Sequence, residues 1–342
     1  MGEVSTIGLD LAKHVFQVHG VDEQGNVTVR KPLRRGAVLK FFAELSPCTI
    51  GIEACSTAHY WARELTALGH SVRLMPPAYV KPYVKRGKND AADAEAICEA
   101  VTRPTMRFVP AKSAEQQANA MVYKVRELLV RQRTQLINAL RSHLAEMGIV
   151  AAKGLGKLDE LVAIVHDKED GRLPAPARQA LQELAEQIAA LDARIEPLQQ
   201  EIVSQLRSNE TVRRLTTIPG IGPLIAGALI AMVPDPAGFR SARHFATWLG
   251  FAPRQKSSGG KQRLGSISKQ GNRYLRSLLI LGAANVLRRR SASKSAWLMA
   301  LRGRRPFRIV AVALAHKIAR IAWALMVKGG SYRAANLAAA QG

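Results

Sequence analysis

VSTIGLD, residues 4–10, is a short β-like run that ends on a carboxylate. A lone carboxylate at the end of a buried strand is costly unless something compensates it, so Asp10 calls for a partner. Outward from it, residues 14–21 and 27–31 flank the turn-rich DEQGN and read as a hairpin. Residues 38–45 have helical spacing, and residues 49–52 are a second buried-strand candidate ending at Glu53. Residues 60–68 read as a helix, and 71–74 as a strand stopped by Pro76 and Pro77. Residues 90–101 read as a helix with Asn89 or Asp90 near its N-cap. The order β-β-β-α-β-α-β-α predicts an α/β domain, a mixed sheet flanked by helices.

The acids of this segment carry the first chemical reading. Asp10 and Glu53 end strands, while Asp90 and Asp93 in KNDAADAEA lie three apart and face one side of a helix. Carboxylates so placed can converge into an oxygen-rich pocket, where like charges repel unless cations intervene. Mg²⁺ or Mn²⁺ fits, because hard cations take oxygen ligands. Two such ions about 4 Å apart can activate a nucleophile and stabilise a leaving oxygen in phosphodiester cleavage. Singly, each acid has an ordinary explanation: Asp93 and Glu95 as first-turn helix acids, Glu53 as the partner of an arginine. The four together, in this order on these elements, point to a metal site. An actin-like nucleotide-binding strand would want Gly and Ser or Thr after Asp10, where this chain has Leu11-Ala12-Lys13.

Residues 113–147 read as one long helix, and a second begins near Pro176. In the second, Leu181, Leu184, Ile188, Leu191, Ile195, Leu198 and Ile202 alternate spacings of three and four, an a/d heptad pattern. Packing against the first helix and dimerisation both account for it, and Pro197 is expected to kink or interrupt it. TTIPGIGPLIAGALIAMV, residues 216–233, reads as helix, Gly-rich turn and helix, resembling a helix-hairpin-helix element. There Gly220 and Gly222 would let backbone N–H groups approach a phosphate; a plain helix–helix turn is the alternative. Residues 250–276 are polar, basic and rich in Gly and Ser, and two or three helices follow.

Charge separates the two ends of the chain. Its 342 residues carry a formal +24, and from Pro236 to Gly342 there are 21 Lys and Arg with no Asp or Glu, which leaves +3 for residues 1–235. So one-sided a basic region favours nucleic acid over a merely soluble surface. Cys48, Cys55 and Cys98 are too few and scattered for a disulfide framework or zinc site, and read as reduced thiols. The apolar stretch 309–327 is interrupted by His316, Lys317 and Arg320, which suits a buried or amphipathic helix better than a membrane span. The N-terminus lacks a signal-peptide pattern. A soluble, cytoplasmic, nucleoid-associated protein without a membrane partner is expected.

IGLDLAKHVFQVHG (7–20), IEACSTAHYWARELTALGH (52–70), LMPPAYVKPYVKRGKNDAADAEAICEA (74–100), IPGIG (218–222) and GFAPRQKSSGGKQRLGSISKQGNRYLR (250–276) together resemble the DEDD transposases of bacterial insertion sequences. This group is related to the Piv-type DNA invertases, and its better-studied members are guided by a bridge RNA. The resemblance covers nearly the whole chain. It implies a RuvC-like (ribonuclease H-like) domain over 1–110, a helical coiled-coil bridge over 111–210 and a mainly α, basic transposase domain over 211–342. It places the acidic tetrad on Asp10, Glu53, Asp90 and Asp93, and a nucleophilic serine on Ser258, with Ser257 one residue away and Ser266 and Ser268 further on. It also implies donor and target DNA, a structured guide RNA, and a homo-oligomer, dimer or tetramer. From the residues alone, Ser257-Ser258-Gly259-Gly260 would be read as a flexible loop. Arg254, Lys256, Lys261, Arg263, Lys269, Arg273 and Arg276 crowd around that serine and are candidates for phosphate contacts, which give salt-sensitive affinity without sequence information. Aromatic residues are only 5%, so base stacking is not expected to dominate recognition.

Overall fold

The structure is a computed structural model and describes residues 3–85, 89–152, 154–261, 263–289 and 295–333. It divides into two compact units, Met1–Ala118 and Asn119–Gly342.

The first unit is built on five strands, β1 (Thr6–Asp10), β2 (Val15–Val21), β3 (Val27–Arg34), β4 (Thr49–Glu53) and β5 (Ser71–Met75), in the spatial order β3-β2-β1-β4-β5. The first three form an antiparallel meander, and β4 and β5 run parallel to β1. Helices α1 (Val38–Ala43) and α2 (Ala58–Ala67), the short α3 (Pro77–Val80) and α4 (Asp90–Val101) connect and cover it. The mixed α/β sheet flanked by helices agrees with the sequence reading. Strand β3 runs three residues further than expected, through Pro32; as an edge strand it tolerates a residue with no N–H to give. Ile7, Leu9, Ile50 and Ile52 are fully buried, as expected for parallel strands covered on both faces. One face packs on Phe42, Trp61 and Leu65, with Phe16 edge-on to Trp61 at 5.0 Å between centroids. On the other, Ile97 and Val101 of α4 meet Met75 and Val80.

Two glycines set how closely α4 approaches. Gly8 and Gly51 are direct partners in the β1–β4 register. A Cβ on Gly8 would lie 2.0 Å from the Ala94 carbonyl oxygen and 2.4 Å from the Cys98 nitrogen; one on Gly51 would lie 2.8 Å from Val101 Cβ. The helix backbone therefore rests directly on the strand.

The second unit is mainly helical: α5 (Ala114–Glu146, starting in the first unit), α6 (Leu158–His166), α7 (Ala175–Leu206), α8 (Glu210–Thr216), α9 (Pro223–Met232), α10 (Ala242–Trp248), a two-stranded hairpin β6 (Pro253–Gln255) and β7 (Leu264–Ile267), then α11 (Arg273–Arg288), α12 (Ala296–Arg304) and α13 (Phe307–Lys328). Helices α5 and α7 run antiparallel: Arg126 bonds Gln199, and Arg133 bonds Asp192. Their far halves share a small core with α6, made of Ile137, Leu140, Leu144, Leu158, Leu161, Leu181 and Ile188. Their near ends join the larger core of α8–α13 through Ala120, Tyr123 and Ile202. The heptad residues Leu181, Ile188, Ile195 and Ile202 of α7 are thus buried within one chain. Of the two outcomes expected at Pro197, a kink or an interruption, the interruption does not occur: α7 continues past it. The helix expected at the start of residues 216–233 lies earlier, as α8, and 217–222 form the turn. Helix α13 is long and apolar enough to cross a membrane by length and composition, yet Val310, Leu314, Ile318 and Ala322 line the core of this unit.

Replacing Gly8 with Ala should lower stability by about 1–3 kcal/mol or more, because backbone rather than a flexible side chain must move. Gly36→Ala, where an added Cβ meets nothing within 4 Å, should change it by less than about 0.5 kcal/mol. Urea denaturation of both variants checks the pair; equal midpoints would show that α4 is free to retreat.

Candidate metal centre and serine hairpin

Strand β1 delivers Asp10 at its C-terminal end, and β4 delivers Glu53 one residue beyond the Leu9–Ile52 pair. Helix α4 supplies the other acids. Asn89 is its N-cap, the side chain accepting from the Ala91 amide at 2.9 Å, so Asp90 and Asp93 fall in the first turn, where the helix dipole favours anions. Because α4 lies against Gly8, that first turn is carried to the end of β1. Carboxylate oxygens of Asp10, Asp90 and Asp93 come within 4.8 Å of one another. Glu53 lies outside this trio but close enough for its charge to act on Asp10, and Asp93 acts on it in turn. Glu95, one turn on, is engaged elsewhere, paired with Lys85 at 2.5 Å.

The carboxyl of Asp10 is pushed up to about 6, first by burial, then by the charges of Asp93, Asp90 and Glu53; the Leu11 amide, donating to it, offsets part. Glu53 is raised as well, by burial and by Asp93. Among the described residues no Lys or Arg forms an ion pair with any of the four. The donor set suits a hard divalent cation: oxygen ligands only, two half-buried and Asp90 exposed, all within 4.8 Å of one another. Sequence reasoning chose the acids but missed Gly8 and Gly51, which let them meet. Their signal is the shared Gly-x-acid spacing of TIGLD and TIGIE.

In the second unit, β6 and β7 pair as an antiparallel hairpin rather than a loose loop. Ser258–Lys261 is a tight turn with Gly259 at φ 55° and Gly260 at φ 75°, and the Lys261 amide donates to the Ser258 carbonyl at 3.1 Å. Positive φ at both central residues is the hairpin geometry that glycines allow. The Ser257 hydroxyl accepts from the Arg263 amide at 3.2 Å and so helps close the hairpin. Ser258 is exposed at the tip, and no hydrogen bond among the described residues engages its hydroxyl. Arg254, Lys256, Lys261, Arg263, Lys269 and Arg273 of this segment are exposed, as are Ser266 and the start of β7; Ser268 is half-buried.

Arg276 departs from the expected phosphate-binding set. It is buried on α11, and its Nη1 donates to the carbonyls of Leu249 and Gln270, each at 2.8 Å. Together with the Ser268 amide on the Ala252 carbonyl at 2.7 Å, it ties down the base of the hairpin. Gly220 faces inward too: a Cβ there would come within 2.9 Å of the Gly282 carbonyl of α11. Gly222 is the N-cap of α9, and a Cβ there would meet nothing within 4 Å.

Comparison with known proteins places the chain in a family. A transposase family model of the DEDD type of IS110 matches residues 7–149, and the model described as "Transposase IS116/IS110/IS902 family" matches residues 212–298. The chain is 51% identical over 334 residues to the "Probable family 20 transposase" of Pseudomonas aeruginosa, covering 96% of this chain and 99% of that one. It is 38% identical over 332 residues to the transposase for insertion sequence element IS1328 of Yersinia enterocolitica, covering 96% and 98%. It is also 38% identical over 336 residues to the transposase for IS1111A of Coxiella burnetii, covering 97% and 92%. The chain belongs to the IS110/IS116 family of insertion-sequence transposases. That membership implies a DNA-cleaving and rejoining enzyme with DNA as its substrate.

Two measurements follow. Asp10 has a folded value near 6 against 3.8 for an ordinary aspartate, so its protonation favours the folded state below about 4, and that contribution disappears as pH rises through about 6. In EDTA, Asp10→Asn should therefore gain melting temperature over the unaltered chain across this window; parallel curves would remove the assignment. Arg276→Leu leaves one buried and one partly buried carbonyl without this donor and should cost about 1–3 kcal/mol of stability in urea denaturation, whereas Arg273→Ala should cost less than about 0.5 kcal/mol.

Proposed function

We propose that this transposase cuts DNA with divalent metal held by Asp10, Asp90 and Asp93, aided by Glu53, and rejoins it through Ser258. The observation that carries the first half is the convergence of the three aspartates with no basic residue paired to them among the described residues. A Mg²⁺ or Mn²⁺ bound there would supply Lewis-acid stabilisation of phosphodiester oxygens. The ribonuclease H-like reading of the first unit is supported by the strand order, with an antiparallel meander extended by two parallel strands and acids at the ends of β1 and β4.

The second half rests on the family resemblance and on the exposure of Ser258 at a tight turn. In this reading the Ser258 Oγ bonds to phosphorus while the P–O bond to one deoxyribose breaks. The serine's proton passes to the released sugar oxygen, and the phosphoserine link keeps the bond energy for rejoining. A serine hydroxyl needs a base or metal to become nucleophilic. The acids and Ser258 must therefore meet on one phosphodiester, within one chain or between two. Arg254, Lys256, Lys261, Arg263, Lys269 and Arg273 suit contacts to the DNA backbone beside it. Guidance by a structured RNA and a homo-oligomeric assembly are supported by the resemblance.

Labelled donor DNA carrying the element's ends, incubated with Mg²⁺ and the element's flanking RNA, tests the mechanism in the unaltered chain, Asp10→Ala and Ser258→Ala. A protein–DNA adduct in the unaltered chain, lost in Ser258→Ala and abolished by EDTA, is expected. Cleavage persisting in Ser258→Ala without an adduct would instead make the protein a metal-only nuclease of junction-resolving type.

A further inference from the structure

A second cationic surface lies where α12 is followed by α13. The stretch RGRRPFR, residues 302–308, is exposed throughout, Arg302, Arg304, Arg305 and Arg308 included. Two aromatic rings stand on this surface: Trp297 on α12 is 41% exposed, and Phe307, the first residue of α13, 43%. Each already carries a cation on its π-face. The Lys317 ammonium sits 4.9 Å from the Trp297 centroid, and the Arg288 guanidinium, at the end of α11, 5.8 Å from that of Phe307. Lys317 lies about 15 Å along α13 from Phe307, so the two platforms are separated by about that distance.

We propose that this surface holds an unpaired DNA strand, bases stacking on Trp297 and Phe307 while Arg288, Lys317, Arg304 and Arg308 neutralise the phosphates. Sequence-tolerant single-strand binding combines these two ingredients, a basic track and aromatic platforms. The low overall aromatic content does not count against it, because two exposed rings on one basic surface suffice for local stacking. Half-exposed Met299 and Ile309 would also suit a protein partner. The charge decides against that: no Asp or Glu occurs from Pro236 onward, so a second copy of this region would be repelled and a polyanion attracted. A duplex offers no free base faces, whereas strands opened during cleavage and rejoining do, which makes DNA the source. The inference rests on the chain's action on DNA but not on the metal or serine chemistry.

Tryptophan fluorescence gives a direct test, since Trp61 is buried and Trp248 and Trp323 are partly buried, leaving Trp297 the most exposed of the four. The full chain in EDTA is titrated with oligo(dT), oligo(U) and a duplex of equal length. Oligo(dT) should quench the unaltered chain, and Trp297→Phe should lose most of that quenching while retaining affinity. Trp297→Ala combined with Phe307→Ala should weaken oligo(dT) binding at least about tenfold, with duplex affinity changed less than about twofold. Arg304→Glu combined with Arg308→Glu, which leaves both rings in place, should weaken oligo(dT) binding and flatten its salt dependence. Asp10→Ala and Ser258→Ala should bind oligo(dT) like the unaltered chain, so failure of the cleavage mechanism is separable from failure here. Equal losses on duplex and single strand, or a clear preference for oligo(U) that the double-alanine variant abolishes, would overturn the assignment. Unchanged oligo(dT) binding with a fall in oligomeric mass would also overturn it, in favour of an interface between copies.

Discussion

The seating of α4 on the sheet is the contact from which the acidic centre follows. Three aspartates from a strand and a helix can share a space of 4.8 Å only if helix and strand backbones come closer than ordinary side chains permit. Gly8 and Gly51, side by side in neighbouring parallel strands, remove the two Cβ atoms that would hold α4 away. Ile97 and Val101 then pack beside them on Met75, so apolar burial fixes the helix along its length. The N-cap at Asn89 fixes where the helix begins, and hence which turn faces Asp10. Packing, capping and strand register converge on one point, and the acids take their places from that convergence rather than from mutual attraction.

Their mutual interaction is repulsive, and it has to be overcome by the fold. Burial and three neighbouring negative charges hold the Asp10 carboxyl near 6, so the cation-free site retains a proton far more readily than a surface aspartate would. Divalent metal reverses the sign of the local field. Binding would displace that proton, so affinity should strengthen with pH, and the same charges that destabilise the free protein become ligands. A chain that keeps such a cluster accepts a local electrostatic penalty that a proton relieves at low pH and a bound cation would relieve above it.

The N-terminal half was largely legible because its signals are local: apolar runs of strand length, an Asn before a helix, and acids three apart. What stayed hidden there was the role of Gly8 and Gly51, since a glycine in a strand shows its purpose only once the helix crossing it is known. In the second half, α6 carries a readable signal in Leu158, Leu161 and Val165, short though it is between two long helices. The hairpin offered none, because β6 is exposed along its whole length and alternation of burial never arises. Arg276 misled for a related reason: a basic stretch gives no sign of which arginine turns inward to meet carbonyls freed by a tight turn. Pro197 was over-weighted as a helix breaker. With Ile195 and Ile202 buried on either side, tertiary packing outweighs one missing backbone hydrogen bond.

Electrostatics gives the two-unit layout its logic. A centre of clustered carboxylates repels a phosphodiester, so the unit that holds the acids is poorly suited to drawing DNA in. The chain places that task elsewhere. With 21 Lys and Arg and no acid beyond Pro236, the C-terminal region supplies the attraction, while residues 1–235 carry only the remaining +3. Its helices keep their apolar stripes inward, even the membrane-like α13, which leaves the cations on the surface of a rigid core. Affinity for the backbone and chemistry on it are then tuned by different residues. Salt should weaken the first through the basic surface, while in the proposed mechanism pH and metal concentration would act on the second through Asp10 and its neighbours.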